Sequence, residues 1–255
     1  MHLLLIFLIT LFKIKNAVAP LQTDIWVAWN IGQGQWVTHI LSDECRHYDI
    51  GGEFGTFNRI RPALVKQCGS RLNRLYLSHW DTDHFLNLPL LARTLPNVCW
   101  QMRPLAFAEK KAAQKILQLE IPSCSEPAFS EQSSPIPLVW KSPQTSETNK
   151  SSHVVVDSGV LNSGDSPVSV EKQWSIEMPG LERVQIFVAG HHGSRTSSGK
   201  DLLQRLPNLK WVVASARFAK YRHPHPETRL RLAERSIPLV QTEIWGNIWF
   251  QVRFN

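Results

Sequence analysis

Four side chains able to ligate a metal stand close together in the chain: His79, Asp81, Asp83 and His84, in the run Ser78-His79-Trp80-Asp81-Thr82-Asp83-His84. Two imidazoles and two carboxylates suit divalent transition metals, which accept mixed nitrogen and oxygen donors. Asp and His are also common in solvated turns, so the run gains weight only from three further turns. Gly164-Asp165 offers a carboxylate able to bridge two ions. His191-His192-Gly193-Ser194 offers imidazoles, and His223-Pro224-His225 follows Lys220, Tyr221 and Arg222.

These turns come after apolar segments that read as strands, so a sheet edge is what must bring them together. Strands are predicted at residues 24–29, 36–41, 46–50, 72–77, 138–140, 154–156, 158–162, 184–189, 211–215, 237–241 and 244–252. Helical patterns fall at 57–67, with Gly69 as a stop signal, and at 85–94, 106–119, 167–174, 199–206 and 226–236. The Pro-, Ser- and Thr-rich stretch 122–152 reads as a long surface excursion. Two sheet-rich halves with helices outside each predict an α/β fold, a four-layer αββα sandwich.

The 255 residues, 43% hydrophobic and 19% charged, exclude wholesale disorder, a collagen-like repeat and a multi-span membrane protein. With 28 Lys plus Arg against 21 Asp plus Glu, the formal charge is +7, a field that favours polyanionic partners. Residues 3–12 form an apolar run too short to span a membrane, and Ala17-Val18-Ala19 follows it. Residues 1–19 therefore read as a hydrophobic leader, either a signal peptide or a membrane-helix remnant, ahead of one domain at 20–255. Both forms put that domain outside the cytoplasm; a buried N-terminal strand is the plainer alternative. Cys45, Cys68, Cys99 and Cys124 contain no C-x-x-C pair, which argues against a zinc ribbon. Export would permit disulfides, with buried free thiols as the alternative.

The ligand run resembles the metallo-β-lactamase signature His-x-His-x-Asp-His, with Asp81 at the second ligand position. More narrowly, the chain resembles the hydrolase-like domain of the competence DNA-uptake channel family (ComEC), from about residue 24 to residue 252. The matching motifs are Asn30-Ile31-Gly32-Gln33-Gly34, Tyr48-Asp49-Ile50-Gly51-Gly52, Ser78 to His84, Ser163-Gly164-Asp165, His191-His192-Gly193-Ser194 with Ser197, and Tyr221-Arg222-His223-Pro224. The resemblance implies a metallo-β-lactamase sandwich holding two divalent metal ions, Zn or Mn, and no organic cofactor. It makes His79, Asp81 and Asp165 ligands of one ion, and Asp83, His84, His191 and Asp165 ligands of the other. Asp83, His192 and His223 become the catalytic groups, the two histidines protonating a leaving group or holding a phosphate oxygen. Ser194, Arg195 and Arg222 become anion contacts, and Asp49 a brace for the ligand loop.

The chain departs from the family pattern in a missing ligand His, in two lost carboxylates, and in lacking the family's channel part. His153 is the sole His between the signature and Asp165, and its Val-rich surroundings make it a core or sheet-face residue. Asn30 and Gln35 stand where many members carry Asp. The function implied is phosphodiester hydrolysis of DNA in competence-related uptake, with DNA and a membrane channel as partners and the oligomeric state open. A small-molecule ester, lactam or phosphodiester hydrolase and a degenerate DNA-binding module are the other readings. Trp80 and Phe85 could stack on bases, although core packing is the expected role.

Overall fold

The computed structural model describes residues 24–104, 111–125, 135–143 and 145–253. The leader at 1–19 and the first part of the helix expected at 106–119 lie outside the described residues. In chain order the strands are β1 Ile25–Ala28, β2 Val37–Ile40, β3 Glu44–Tyr48, β4 Leu72–Tyr76, β5 Val98–Met102, β6 Leu138–Trp140, β7 Val154–Asp157, β8 Val160–Asn162, β9 Ile186–Val188, β10 Trp211–Ala214, β11 Leu239–Gln241 and β12 Ile248–Phe250. The helices are α1 Phe57–Cys68, α2 Thr82–Phe85, α3 Leu88–Thr94, α4 Lys111–Leu117, α5 Val168–Glu177, α6 Lys200–Gln204, α7 Phe218–Tyr221, α8 Pro226–Ala233 and α9 Thr242–Trp245.

The strands form two six-stranded sheets, ordered β12-β1-β2-β3-β4-β5 and β11-β10-β9-β8-β7-β6. In each, an antiparallel part passes into a parallel part, beginning at β3·β4 in the first sheet and β8·β9 in the second. The period-two alternation of a strand assigns its side chains to different layers. In β1, Ile25 and Val27 join the helix-facing core, while Trp26 and Ala28 face the second sheet. The inter-sheet layer combines Trp26, Tyr48, Tyr76 and Met102 with Val155, Val160, Ile186 and Val213. A third core packs α5, α6 and α8 onto the second sheet through Trp174, Leu202, Leu203 and Leu232. Three apolar interfaces make the four layers expected from the sequence.

A polar clamp crosses the middle layer. The Asp157 carboxylate of the second sheet accepts from Arg46 Nη1 at 3.1 Å and Tyr48 Oη at 2.5 Å, and it meets His39 Nδ1 at 2.9 Å. All three partners come from the first sheet, so a buried charge is satisfied from across the sandwich.

Several expectations require correction. The segment Val98–Met102 is a strand not anticipated from its sequence, paired parallel to β4. The single helix expected at 85–94 is two, α2 and α3, with Asn87 between them. The strand expected at 244–252 is a helical turn, α9, followed by the short β12. The cysteines are paired, Cys45 with Cys68 and Cys99 with Cys124, and none is a free thiol.

Candidate metal centre

The ligand-type side chains gather beyond the carboxyl ends of the parallel strands of both sheets, where loops splay out and leave a crevice. Asp49 follows β3, His79 to His84 follow β4, Asp165 follows β8, and His191 and His192 follow β9. The Asp83-His84 backbone is held against the glycines of the opening motifs. Asp83 O accepts from Gln35 N and Gly52 N, each at 3.1 Å, and His84 O accepts from Ile50 N at 2.7 Å. A Cβ on Gly51 would stand 1.6 Å from Asp83 O, so only glycine permits this approach.

Asp49 braces the ligand-type side chains, and protein donors engage both of its oxygens. Its Oδ1 accepts from Ser78 N at 2.8 Å. Its Oδ2 accepts from Ser78 Oγ and Gln35 Nε2, both at 2.9 Å, and meets His84 Nδ1 at 2.8 Å. Gln35 is therefore a donor to a buried carboxylate, and its departure from Asp avoids a second negative charge there. Asn30 does not line the crevice.

The hydrogen bonds also fix tautomers. His84 Nδ1 faces a carboxylate, and His192 Nδ1 faces Ser215 O at 2.9 Å, an acceptor only. His79 Nδ1 lies 2.9 Å from Ser78 Oγ, whose own hydrogen goes to Asp49. In its neutral form each ring thus carries its hydrogen on Nδ1 and turns an Nε2 lone pair inward.

Asp165 lies among these nitrogens. Its Oδ1 is 3.0 Å from His84 Nε2 and 3.8 Å from His192 Nε2. Its Oδ2 is 3.8 Å from His79 Nε2 and 3.4 Å from His191 Nε2. Asp81 Oδ2 lies 3.4 Å from His79 Nε2, and Asp83 Oδ2 lies 3.2 Å from His192 Nε2. His191 accordingly falls on the His79 side, not with Asp83 and His84 as the resemblance implied, and His192, expected as a catalytic group, stands on the Asp83-His84 side. The cause is local: consecutive left-handed residues, φ 49° at His191 and 56° at His192, fan the rings 71° apart.

Two observations test whether these residues fit metal ions. His79 Nε2 and Asp165 Oδ1 are buried without a hydrogen-bond partner, although orphaned polar atoms are costly. His84 Nε2 and His192 Nε2 lie only 3.2 Å apart, close to the separation of about 3.3 Å for two nitrogens on one tetrahedral ion. Donor atoms of His79, His84 and Asp165 converge in one group, and those of Asp83, His84 and His192 in another. The donor set fits.

The electrostatics agree. Burial pushes the Asp165 carboxyl up, but His84 and His192 beside it hold it well below the usual carboxylate range. Asp83 is likewise lowered, its burial outweighed by the His192 hydrogen bond and the His84 charge. Burial opposes protonation of His84, yet Asp165 and Asp49 raise its pKa well above the ordinary value. The site has been built to hold positive charge between carboxylates.

The crevice has a volume of about 490 Å³ and is lined by Asp81, Asp83, Asp165, His191, His192 and His223. His223 Nδ1 is buried and unpartnered, and burial with the neighbouring His192 and His191 lowers its pKa to about 4. The expected anion contacts are not brought there. Ser194 turns its hydroxyl to Thr196 Oγ1 at 3.0 Å, Arg195 O accepts from Arg231 Nη2 at 3.1 Å, and the Arg222 guanidinium lies 5.5 Å over the Phe218 ring. The wall is supplied instead by Gln33, Glu53, Phe54, Asn149, Lys220 and Tyr221. The excursion at 122–152 contributes more than surface, since Thr148 Oγ1 donates to Asp81 Oδ2 at 3.1 Å. His153 stays outside, its Nδ1 accepting from Ser142 N at 3.2 Å. Trp80 and Phe85 are core residues, packed edge to face at 5.6 Å.

The two sheets and their outer helices make the metallo-β-lactamase fold. The structure superposes on the metallo-beta-lactamase fold protein YhfI from Bacillus subtilis with TM-score 0.56 and 10% identity, covering 89% of this chain and 99% of that one. A diphosphatase from the PhnP family matches with TM-score 0.52 and 11% identity over 90% of this chain and 98% of that one. No protein-family profile matches the chain. In sequence, the chain resembles ComEC-type competence proteins: it is 26% identical to Competence protein ComA of Neisseria gonorrhoeae, over 87% of its length. It is 23% identical to ComE operon protein 3 of Bacillus subtilis, over 75% of its length. The match spans 31% and 26% of the lengths of those relatives.

Proposed function

We propose that the chain is a metal-dependent phosphodiesterase that cuts DNA during competence-related uptake. The observation that carries this reading is the Asp165 carboxylate, orphaned at Oδ1 while four histidine nitrogens lie 3.0–3.8 Å from its two oxygens. When bound, two divalent ions, Zn or Mn, supply Lewis acidity and a nucleophile at neutral pH. His79, Asp81 and His191, on the Oδ2 side of Asp165, would hold one ion with it, and Asp83, His84 and His192, on the Oδ1 side, the other. His192 cannot act as the acid as well, because Ser215 O takes its Nδ1 hydrogen and its Nε2 faces Asp83. His223, unpartnered at Nδ1 and lining the crevice, is left as the group able to hold a phosphate oxygen by a hydrogen bond. Lys220 offers the crevice a positive charge for a phosphate.

DNA as substrate is supported by the resemblance to competence proteins and by the net charge of +7, and work outside the cytoplasm by two disulfides. A membrane channel is the partner this role requires. A small phosphodiester is the second reading, favoured by the diphosphatase neighbour and by a crevice volume within the range of small-molecule sites.

The test pairs metal analysis with cleavage. The full chain should carry divalent metal by elemental analysis and cut DNA with Mn²⁺ or Zn²⁺, and chelation should abolish cutting. His79→Ala and Asp165→Ala should each lose metal and activity together. Cutting that survives both substitutions overturns the mechanism; hydrolysis of a chromogenic small diester without DNA cleavage supports the second reading.

A further inference from the structure

One wall of the crevice carries aromatic groups that the hydrolytic chemistry leaves unused. Phe54 and Tyr221 both line it, yet they are 91% and 55% exposed. Their loops are locked together. Glu53 pairs with Arg217 and, at 3.6 Å, with Lys220, while Gln33 Oε1 accepts from Arg217 N at 3.1 Å. Lys220 Nζ lies 5.4 Å from the centre of the Tyr221 ring. Further along, Phe218 is 40% exposed beneath the Arg222 guanidinium, and its N–H donates to Glu243 Oε2 at 2.9 Å. Glu243 lies in α9, which leaves Trp245 72% exposed.

The result is a strip of exposed rings interleaved with cations, starting at the mouth of the candidate metal centre. An apolar protein partner has no use for Lys220 and Arg222 among the rings. A duplex buries its base faces within its own stack. Unpaired bases on a phosphate chain match both features, since any base can lie on an aromatic face while Lys and Arg meet the backbone. Resting on the phosphodiesterase reading, we propose that Phe54 and Tyr221 form a stacking platform for single-stranded polynucleotide. It seats unpaired bases so that a neighbouring phosphate reaches the crevice past Lys220, and it selects single strands over duplex.

The experiment measures binding by fluorescence anisotropy with the full chain in chelator, so that no cutting occurs. The probes are an oligothymidine of about 12 nucleotides, an abasic strand of equal length and a duplex of equal length. The thymidine strand should bind at least about tenfold more tightly than the abasic one, stacking being worth about 1–3 kcal/mol per base. The Phe54→Ala/Tyr221→Ala double variant should lose that margin while binding the abasic strand as before, and Tyr221→Trp should keep it. Both positions are surface positions, and an unchanged thermal midpoint verifies the fold. Equal affinity of the unaltered chain for thymidine and abasic strands overturns the platform, as does a duplex bound as tightly as the single strand. A double variant that keeps the margin but changes its oligomeric state assigns the strip to protein contact and also overturns it. Hydrolysis of a chromogenic phosphodiester by the unaltered chain with Mn²⁺ reports separately on the site: its absence beside an intact base margin overturns the phosphodiesterase reading alone.

Discussion

Asp49 touches no candidate ion, yet four hydrogen-bonding groups converge on it, including His84 Nδ1 and the Ser78 hydroxyl that orients His79. Outer partners of this kind set the direction of ligand lone pairs, and their loss costs about 10–100-fold in metal affinity. Asp49→Asn should therefore weaken metal binding by about that factor while the chain still folds, measured by competition with a chromophoric chelator. Asp49→Ala should in addition cost about 3 kcal/mol or more in urea unfolding, because several buried donors lose their acceptor. Wild-type affinity in Asp49→Asn would remove Asp49 from the site's design. At this scale the gathering of ligand-type residues was legible in the sequence because they stand at strand ends. The division of His191 and His192 between the two sides was not, since it depends on two left-handed backbone angles. Nor were the anion contacts: Ser194, Arg195 and Arg222 have suitable chemistry, but their side chains or loops turn away from the crevice.

Among elements, the contact that matters most for the site is the pressing of the Gly51-Gly52 turn onto α2. Gly51→Ala would drive a methyl group into Asp83 O, 1.6 Å away, and should displace the Asp83-His84 backbone. Gly55 gives the control: its φ is +78°, but nothing lies within 4 Å of an added Cβ. Gly55→Ala should cost only the left-handed penalty of about 1–2 kcal/mol and leave metal affinity intact. Gly51→Ala should cost more, and metal binding should fall with it, by urea unfolding and chelator competition. Equal effects of the two would deny the close packing its role. Most strands were readable because β-branched and aromatic runs ended at turn residues. The strand β5 was not, being a five-residue edge strand whose sequence, Val-Cys-Trp-Gln-Met, alternates no polar face. Its partners come from distant chain: Trp100 N donates to Pro122 O, and Cys124 N to Trp100 O, each at 2.8 Å.

For the whole molecule, stability joins covalent and titratable parts. Both disulfides lie in the first-sheet half, where Cys45 of β3 is tied to the end of α1 and Cys99 of β5 to Cys124. Each closes a loop of 23 or 25 residues, so reduction should lower stability by about 2–4 kcal/mol per bridge, read from urea curves with and without reductant. Charge acts through buried groups of opposite sign. Burial raises Glu171 from 4.5 to about 7, although Ser198 N and Gly199 N donate to it at 2.6 and 2.8 Å. Between those values the folded chain keeps a proton that the unfolded chain has lost, so this contribution is full below pH 4.5 and disappears as pH rises through about 7. His47 runs the other way: burial lowers it from 6.5 to about 4, so the unfolded chain takes up a proton that the folded chain refuses. Its contribution is full above pH 6.5 and is lost as pH falls toward 4. Where the windows overlap the two slopes oppose each other, and the wild-type profile alone conceals both. Glu171→Gln separates them, because His47 and every other group cancel in the difference between the two proteins. The stability of wild type minus that of Glu171→Gln should fall by up to about 3 kcal/mol from pH 4.5 to 7, measured by urea unfolding in chelator. A difference that stays flat across that range would mean that Glu171 keeps its ordinary pKa on folding, its two backbone donors offsetting its burial.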